Sequence, residues 1–354
     1  MPILDATTPR PASGTHPTSD AAPSSPFDGF DVRLDPWAVE YGAELAATGS
    51  DEAPAVEVDP FLETPRDEWG PLNPLPSADH PLPAEVGFVD GVRRLELRVV
   101  VPQGLKWAHG AFGSWAVGAV IAPAADTGIA RFGDYEVGRC LVIASGIKPP
   151  QPVVLGPGLE WRNDAAEGDE TDVPPKWVHR QMREAEERFG RKLATKAGLL
   201  VVSDGPLSFV DRTPASVLGL VKRLHELYLP QELLPHLFAL TPGQRTPMIA
   251  LDGTAFPRYT WFIRLTDSAP GEPPLSGIVR VEVAIGLGRE AARMLADQSA
   301  ILLPRFVPAR ARDGRAPQNL LAIGALESHL RHQLGDQILL RRHLETLIRM
   351  KERR

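Results

Sequence analysis

The pattern of apolar and polar positions changes at residue 86, where a series of apolar runs begins. Three of these runs are rich in β-branched residues and predict strands: 86–101, 113–123 and 135–145. Within the first run, the Asp90-Gly91 dipeptide predicts a turn between two strand segments. Residues 176–197 repeat apolar side chains at helical spacing. The first half of this region therefore predicts three strands and a helix.

The rest of the sequence alternates strands and helices. A short apolar run begins at residue 198 and ends at Asp204, which predicts a fourth strand. Further strands are predicted over 246–253, 258–265 and 277–286. Further helices are predicted over 214–229, 288–303, 319–334 and 337–350. This order predicts a mixed α/β sheet with helices on its faces.

The N-terminal part differs from the rest in charge and composition. Residues 1–80 hold 15 Asp and Glu against 3 Arg, whereas the whole chain of 354 residues has a formal net charge of −7. Low apolar content predicts a disordered tail over 1–26, and residues 27–84 are interpreted as an acidic, extended arm or linker. The remaining predicted parts are a globular domain over 85–336 and a basic C-terminal helix over 337–354.

Several classes of protein do not fit the sequence. No run of about 18 apolar residues is present, so a membrane span is not expected. The first residues show neither a basic nor an apolar signal segment, and the single cysteine, Cys140, leaves no disulfide framework or cysteine-based metal site. We therefore expect a cytoplasmic protein. Without a P-loop or an HExxH pair, the sequence predicts neither an ATPase nor a zinc hydrolase.

Three carboxylates occur where two strands and a helix would bring them together. Asp90 follows the apolar segment GFV, and Asp204 ends the apolar segment LLVVS. A helical wheel of the first predicted helix places Glu186 at the edge of the buried stripe, and Glu184 and Glu187 on the solvent side. Glu187 remains the register alternative to Glu186. If the two strands are neighbours, the two aspartates and one glutamate converge.

A carboxylate cluster of this kind needs a compensating cation. Like charges raise one another's pKa, and a bound divalent cation removes that penalty. Oxygen ligands suit Mg²⁺ or Mn²⁺, and a pair of such ions activates water and stabilises the leaving oxygen in phosphodiester cleavage. The alternative interpretation is that Asp90 and Asp204 only form turns, because each precedes a glycine.

Two other acids fit a metal site less well. Asp252 is a candidate for a fourth ligand, but it also precedes a glycine, and a hairpin turn is the favoured interpretation. Glu282 alternates with valines, so we expect it on the same face of its strand as Arg280, opposite the core.

The motifs of this region resemble those of the NurA nuclease family in their order and spacing. They are FVDG (88–91), LVVSDGPLSF (200–209), LGLVKRLHELYL (218–229), RYTWFIRL (258–265), VRVEV (279–283) and PQNLLAIGALESHL (317–330). The resemblance covers about residues 85–335. It implies an RNase H-like fold and a Mn²⁺- or Mg²⁺-dependent nuclease that processes DNA ends. It also implies a homodimer that works with a hexameric HerA-type ATPase.

The resemblance also implies roles for particular residues. The metal-binding acids would be Asp90, Glu186 and Asp204. The first of them would bridge two ions. The residues implied to contact DNA are Lys222, on the helix after the second aspartate, and the Arg258-Tyr259 pair on a later strand. The competing interpretations are an exposed helix lysine and two residues that flank a core strand.

The C-terminal motif departs from the family. Members usually carry an Ala-His pair on the last helix, where this sequence has Ile323 and Gly324, so the histidine is missing. Glu327, His329 and His332 follow within the next turns. Glu327 is favoured as the substitute metal ligand because it lies one turn beyond, and a solvated helix acid is the competing interpretation. The departure supports an alternative function, a catalytically inactive NurA-like subunit that binds DNA or adapts a translocase complex.

The C-terminal region is basic. Residues 301–354 contain 11 Lys and Arg against 5 Asp and Glu. Such a region attracts phosphate without sequence preference, or forms a surface for an acidic partner protein. An RNase H-like enzyme that acts on RNA is a more distant alternative, because one fold hosts many functions.

Overall fold

The computed structural model describes most of the sequence from residue 25 onward. In these residues, twelve strands form one mixed sheet with helices packed on its faces, which confirms the predicted α/β class. Most of the predicted N-terminal tail, part of the acidic arm and the centre of the basic segment lie outside the described residues. The described ranges are 25–27, 29–35, 56–76, 81–125, 128–207, 215–253, 256–309 and 318–351.

The secondary structure is numbered along the chain. The strands are β1 (Arg33–Leu34), β2 (Glu57–Asp59), β3 (Glu85–Gln103), β4 (Lys106–Pro123), β5 (Arg131–Ile143), β6 (Val153–Gly156), β7 (Leu159–Ala165), β8 (Leu199–Asp204), β9 (Val217–Val221), β10 (Ile249–Asp252), β11 (Arg258–Arg264) and β12 (Ile278–Ala284). The helices are α1 (Val173–Ala194), α2 (Leu234–Phe238), α3 (Arg289–Leu302), α4 (Leu321–Gln333) and α5 (Gln337–Lys351). Across the described ranges, none of the helices combines the length and apolarity that a membrane span requires.

The five strands at the centre of the sheet have the RNase H-like arrangement. β3, β4 and β5 are antiparallel neighbours, and β8 lies parallel to β3 on its other side, followed by β9 in the same direction. β12, β11, β10 and β2 extend the sheet beyond β9, and β7 and β6 extend it beyond β5. Because β3 and β8 are parallel neighbours, each residue of β3 from Glu85 to Val89 lies directly beside its paired residue of β8.

α1 and α4 cover opposite faces of β3 and β4. A Cβ added to Gly91 would lie 2.9 Å from Met182 of α1, and one added to Gly118 would lie 3.1 Å from Leu330 of α4. Gly118 is paired with Asp90 across the two strands. Directly paired residues share a face and successive residues alternate. Asp90 therefore lies on the α4 face of the sheet, and Gly91 lies on the α1 face.

The turn predicted at Asp90-Gly91 is wrong. β3 is one strand of 19 residues, and every residue from Glu85 to Leu95 pairs in register with β4. The local turn preference of Asp-Gly is overridden because β4 offers a continuous partner, and because the space beneath α1 requires a residue without a side chain. Asp90 therefore lies inside a long strand rather than at the end of a short one.

The helix predicted over 214–229 is also wrong. Val217–Val221 of this segment form β9, which is parallel to β8, and the described residues from there to the 3₁₀ turn at Gln231 form no helix. A short apolar run does not distinguish a buried strand from a buried helix by its periodicity, and all five residues of β9 are buried. Gly219 suits the close packing, since a Cβ there would lie 3.0 Å from the Gly205 carbonyl oxygen. Lys222 consequently follows a strand, not a helix.

Candidate metal centre

The sheet has a notch where β8 ends. β3 pairs with β8 from Glu85 to Val89, and β8 ends at Asp204. From Asp90 to Leu97, this edge of β3 has no strand partner among the described residues. The cleft at the notch is lined by residues of α1 and α4 and has a volume of about 1140 Å³. It opens at the carboxyl ends of parallel strands, where α/β proteins commonly bind ligands.

Three carboxylates meet in the notch. Asp90 comes from β3, Asp204 is the last residue of β8, and Glu327 comes from α4. One oxygen of each lies within 4.8 Å of the others. Val89 is paired with Ser203, so the next residue of each strand is an aspartate and the two aspartates are neighbours. The fold therefore brings together residues that lie far apart in the sequence.

Two carboxylate oxygens of this cluster are buried without a hydrogen-bond donor among the described residues. Asp90 Oδ1 accepts a hydrogen bond from the Gly91 N–H at 2.8 Å, whereas Asp90 Oδ2 accepts none. Asp204 Oδ2 accepts one from Lys222 Nζ at 2.7 Å, whereas Asp204 Oδ1 accepts none. A buried charged oxygen without a donor is costly, so these two oxygens require a proton or a cation.

Burial and mutual repulsion raise the pKa of two of the acids. The pKa of Asp90 is raised well above its ordinary value, first by burial and then by the negative charges of Asp204 and Glu186. The pKa of Glu186 is raised to about 7 by burial, with Arg183 opposing the rise and Asp204 adding to it. At neutral pH the cluster therefore favours binding of positive charge.

Glu186 approaches the cluster from the α1 side. Its side chain is 2% exposed, pairs with Arg183 at 2.5 Å and interacts electrostatically with Asp90. Glu187, predicted on the solvent side, is also buried, because α1 packs against β8 and β9 as well as β3 and β4. The carboxylate of Glu187 pairs with Arg191 along the helix at 3.6 Å. The structure thus brings Glu186, and not Glu187, to the two aspartates.

Arg183 joins α1 to the turn after β8. Its guanidinium donates hydrogen bonds to Glu186 Oε2, to the Asp204 carbonyl oxygen at 3.0 Å and to the Pro206 carbonyl oxygen at 2.6 Å. Gly205, between the two carbonyls, has a φ of 94°, a conformation that favours glycine. Arg183 thus fixes the backbone that carries Asp204. Arg183 was not predicted as a site residue, although its position three residues before Glu186 was an available signal.

Lys222 lies at the edge of the cluster, directly after β9. Its Nζ donates to Asp204 Oδ2 at 2.7 Å and to Asn319 Oδ1 at 2.9 Å. Asn319 is buried and precedes α4, so this contact links the start of the α4 segment to the end of β8. Asn319 was not predicted as a site residue, because a single asparagine outside a periodic element gives no pattern to detect.

Arg258 and Tyr259 lie outside the lining of the cleft. Tyr259 packs in the main core, and Arg258 Nε pairs with Glu282 Oε2 at 3.1 Å. As expected, Glu282 shares a face of β12 with Arg280, 3.5 Å away and opposite the valines of the main core; this face is covered as well, so Glu282 is fully buried. Glu282 accepts a hydrogen bond from the Leu207 N–H at 2.6 Å. It therefore holds the loop that follows β8.

Of the three candidates to replace the missing histidine, Glu327 lies beside the aspartates. His329 stacks against Phe132 with ring centroids 4.1 Å apart, and His332 is exposed near the end of α4. Ile323, at the position of the family's pair, is buried in the core. The cluster that the structure forms is therefore composed of oxygen donors.

The donor set fits a hard divalent cation. Carboxylate oxygens are the ligands that Mg²⁺ and Mn²⁺ prefer, and the two donor-free oxygens supply charge that a cation would neutralise. Asp90, Asp204 and Glu327 are close enough to one another to share an ion. Glu186 adds negative charge beside them, and Lys222 and Arg183 engage the outer atoms of the site. The notch is therefore a candidate divalent-metal centre.

The metal-free protein is expected to lose stability as the pH rises from about 4.5 to about 7. The Glu186 carboxyl has an ordinary pKa of 4.5 and a pKa of about 7 in the folded protein, so the folded state keeps a proton that the unfolded chain has released. The contribution of this proton to the free energy of unfolding is fully present below the ordinary pKa. It falls by roughly 3 kcal/mol over this interval, at about 1.4 kcal/mol per pKa unit. Urea unfolding with EDTA across this interval measures the fall.

The control for this pH dependence is Glu186→Gln, which cannot ionise. It should show a much smaller fall in the free energy of unfolding, with Asp90 supplying what remains, because the pKa of Asp90 is raised in the same direction. The same pH dependence in Glu186→Gln and in the original protein would contradict the assignment.

The fold and the cluster together define an RNase H-like α/β protein with a candidate carboxylate metal centre. No protein-family model matches the chain, and no curated protein matches it. Among solved structures, it is similar to the crystal structure of the NurA nuclease from Sulfolobus solfataricus, with a TM-score of 0.36 and 11% sequence identity, covering 75% of this chain and 84% of that chain. We therefore base the function on the geometry of the site.

Proposed function

We propose that the protein is a Mn²⁺- or Mg²⁺-dependent nuclease that hydrolyses phosphodiester bonds at DNA ends. The observation that carries this proposal is the pair of donor-free buried oxygens, Asp90 Oδ2 and Asp204 Oδ1, beside the Glu327 carboxylate. Buried polar atoms without a partner are rare in proteins and call for an explanation, of which a bound ion is one. The choice of DNA as substrate rests on the sequence resemblance to the NurA family.

The side chains around the cluster suit two-metal hydrolysis. When bound, a pair of divalent ions supplies an activated water and stabilises the leaving oxygen. Asp90, Asp204 and Glu327 would hold the ions, and Glu186 would add the negative charge that keeps them bound. Lys222 Nζ, which already bridges Asp204 and Asn319, has donor capacity for an oxygen of the substrate phosphate.

The walls of the cleft are suited to a polyanion. The cationic side chains that line it are Arg180, Arg183, Lys222, Arg223 and Arg280. Apart from the cluster and Glu186, three acids line it: Glu184, Glu187 and Glu226. A cleft with cations on its walls and carboxylates at its floor attracts a phosphate backbone and presents one phosphate to the metal site.

The assembly is a proposal from the sequence resemblance. We place the protein in the cytoplasm, as a homodimer that works with a hexameric HerA-type ATPase. Light scattering on the purified protein measures the mass of the assembly. Cleavage of linear duplex DNA with and without such an ATPase and ATP measures whether the two proteins act together.

A cleavage assay tests the proposed activity. Linear single-stranded DNA, double-stranded DNA and RNA are each incubated with the full chain in Mn²⁺, in Mg²⁺ and in EDTA. We expect DNA cleavage with either ion and none in EDTA. Cleavage of RNA alone would contradict the DNA assignment, and cleavage that persists in EDTA would contradict the metal mechanism.

A second candidate function is a catalytically inactive subunit that binds DNA or adapts a translocase. The observation that favours it is Ile323 in the core at the position of the family's Ala-His pair. This candidate predicts DNA binding by the full chain without cleavage under any of the three conditions. The cleavage assay therefore separates the two functions.

A further inference from the structure

Arg93 is an arginine without a counter-ion at the open edge of β3. Within the described parts of the chain, its guanidinium has no carboxylate and no hydrogen-bond acceptor in range, although the side chain is half-buried. Burial lowers the pKa of Arg93, and no neighbouring carboxylate raises it. By contrast, the buried Arg245 pairs with Glu63 and Asp297, both at 2.7 Å. A half-buried cation without an anion is costly to the folded protein.

The position of Arg93 connects it to the cleft. It is three residues beyond Asp90 on the unpaired edge of β3, a distance of about 10 Å along the strand. It lies on the α1 face, where it interacts electrostatically with His179. His179, Arg183 and Glu186 follow one another along one face of α1, because they are spaced by four and three residues. His179 therefore lines the α1 end of the cleft, and Arg93 lies next to it, just outside the lining and on the same face of the sheet.

The environment of His179 shows that this end of the cleft is electropositive. Its ring is exposed to the cleft, and partial burial together with the charges of Arg93 and Arg183 lowers its pKa to about 4. Neutral imidazole retains one N–H donor. The nearby acids of α1, Glu184 and Glu186, are paired with Arg180 and Arg183, so an arginine without a counter-ion beside a neutral donor is chemically complementary to a phosphate group.

We propose that Arg93 and His179 form a seat for a backbone phosphate of the nucleic-acid strand, next to the phosphate at the metal centre. This proposal rests on the proposed nuclease function, which places the nucleic-acid strand in the cleft with one phosphate at the metal centre. It adds to that function a contact that positions the substrate. Arg93 donates two N–H groups to the phosphate oxygens, and His179 donates one. The seat gains its anion when the substrate binds, so the cost of the unpaired arginine is relieved in the complex.

The test measures DNA binding without metal, so that it does not depend on cleavage. A fluorescently labelled single-stranded oligonucleotide is titrated with the full chain in EDTA at several salt concentrations. We expect Arg93→Met to weaken binding by about 10- to 150-fold, the range for hydrogen bonds to a charged group. The slope of log affinity against log salt should fall by about 0.7, the value for one phosphate of a single strand.

The matched control is Arg188→Met, which removes an arginine from the same helix that bears His179. Arg188 is exposed, pairs with Glu136 of β5 at 3.5 Å and lines a different surface depression, with Asp134 and Tyr135. It should leave the affinity and the salt slope unchanged. The same affinity and slope in Arg93→Met and Arg188→Met would overturn the phosphate seat.

Stability provides a readout that a purely structural arginine would not give. Because Arg93 loses no partner when it is replaced, Arg93→Met should be at least as stable as the original protein in urea while binding DNA more weakly. A clear loss of stability together with unchanged DNA binding would overturn the proposal. His179→Gln changes an exposed side chain and should weaken binding by about 2- to 3-fold, so it tests the seat even if Arg93→Met does not fold.

The outcomes also separate this proposal from the proposed function. Weaker binding in Arg93→Met with no DNA cleavage by the original protein would support the seat and contradict the nuclease. Cleavage by the original protein with an unchanged KM in Arg93→Met would support the nuclease and overturn the seat.

Discussion

Asp90→Asn should abolish metal-dependent DNA cleavage. We expect the rate to fall by at least about 10²- to 10³-fold, because a neutral amide replaces the carboxylate that lies at the centre of the cluster. Asp90 is 6% exposed, and its Oδ2 has no donor among the described residues, so the substitution removes negative charge where a cation is needed. The rate of cleavage of linear DNA in saturating Mn²⁺ measures the effect.

The same variant should not destabilise the metal-free protein. The raised pKa of Asp90 means that its negative charge is unfavourable in the fold, so the neutral amide relieves repulsion by Asp204 and Glu186. Urea unfolding in EDTA should therefore give Asp90→Asn a free energy of unfolding equal to or above that of the original protein. A large loss of stability would show that the lost activity is a folding defect.

Asp252→Asn is the matched control. Asp252 also precedes a glycine and accepts a hydrogen bond from its N–H at 2.8 Å, the same local contact that Asp90 makes with Gly91. It is exposed at the end of β10, in accord with the interpretation as a turn residue. Cleavage by Asp252→Asn should equal that of the original protein. Equal losses in the two variants would contradict a special role for Asp90.

Gly91→Ala should impair the site through α1. A Cβ at this position would lie 2.9 Å from Met182 Cγ and 3.0 Å from Glu186 Oε1, so both side chains have to move. Overpacking of this kind costs about 1–3 kcal/mol of stability. A displacement of Glu186 by a fraction of an ångström to 1 Å should reduce cleavage by about 10- to 100-fold. Urea unfolding and the cleavage rate measure the two effects.

The control for this glycine is Gly156→Ala in β6. A Cβ there meets no atom within 4 Å, and the residue does not require a left-handed conformation. Its stability should change by no more than about 0.5 kcal/mol, and its cleavage rate should stay the same. If Gly91→Ala behaves like Gly156→Ala in both measurements, the close approach of α1 to β3 is not needed for the site.

The sequence pattern predicts the fold class well where periodicity and strand order act together. The apolar stripe of α1 and the apolar run that ends at Asp204 correspond to elements of the structure, and their order predicts the mixed sheet. The same reasoning fails at β9, because five consecutive buried residues carry no period that distinguishes a strand from a helix. It fails at Asp90-Gly91 because tertiary pairing with β4 overrides a local turn preference.

The candidate site is only partly visible in the sequence. The wheel of α1 selects Glu186, and the chain neighbours of Asp90 and Asp204 reveal that they follow apolar runs. The contacts of Arg183, Asn319 and Arg93 depend on which elements the fold places next to one another, and no local pattern contains that information. The alternation in β12 predicts the face on which Glu282 lies but not its full burial, because a strand covered on both faces has no solvent side.

The most direct test of the metal centre is a Mn²⁺ titration monitored by electron paramagnetic resonance, which counts the ions bound by each chain. We expect the original protein and Asp252→Asn to bind at least one Mn²⁺, and we expect Asp204→Asn, which keeps the shape of the side chain but loses its charge, to lose that binding. Equal Mn²⁺ binding by Asp204→Asn and the original protein, or no binding by either, would contradict a metal centre formed by Asp90, Asp204 and Glu327.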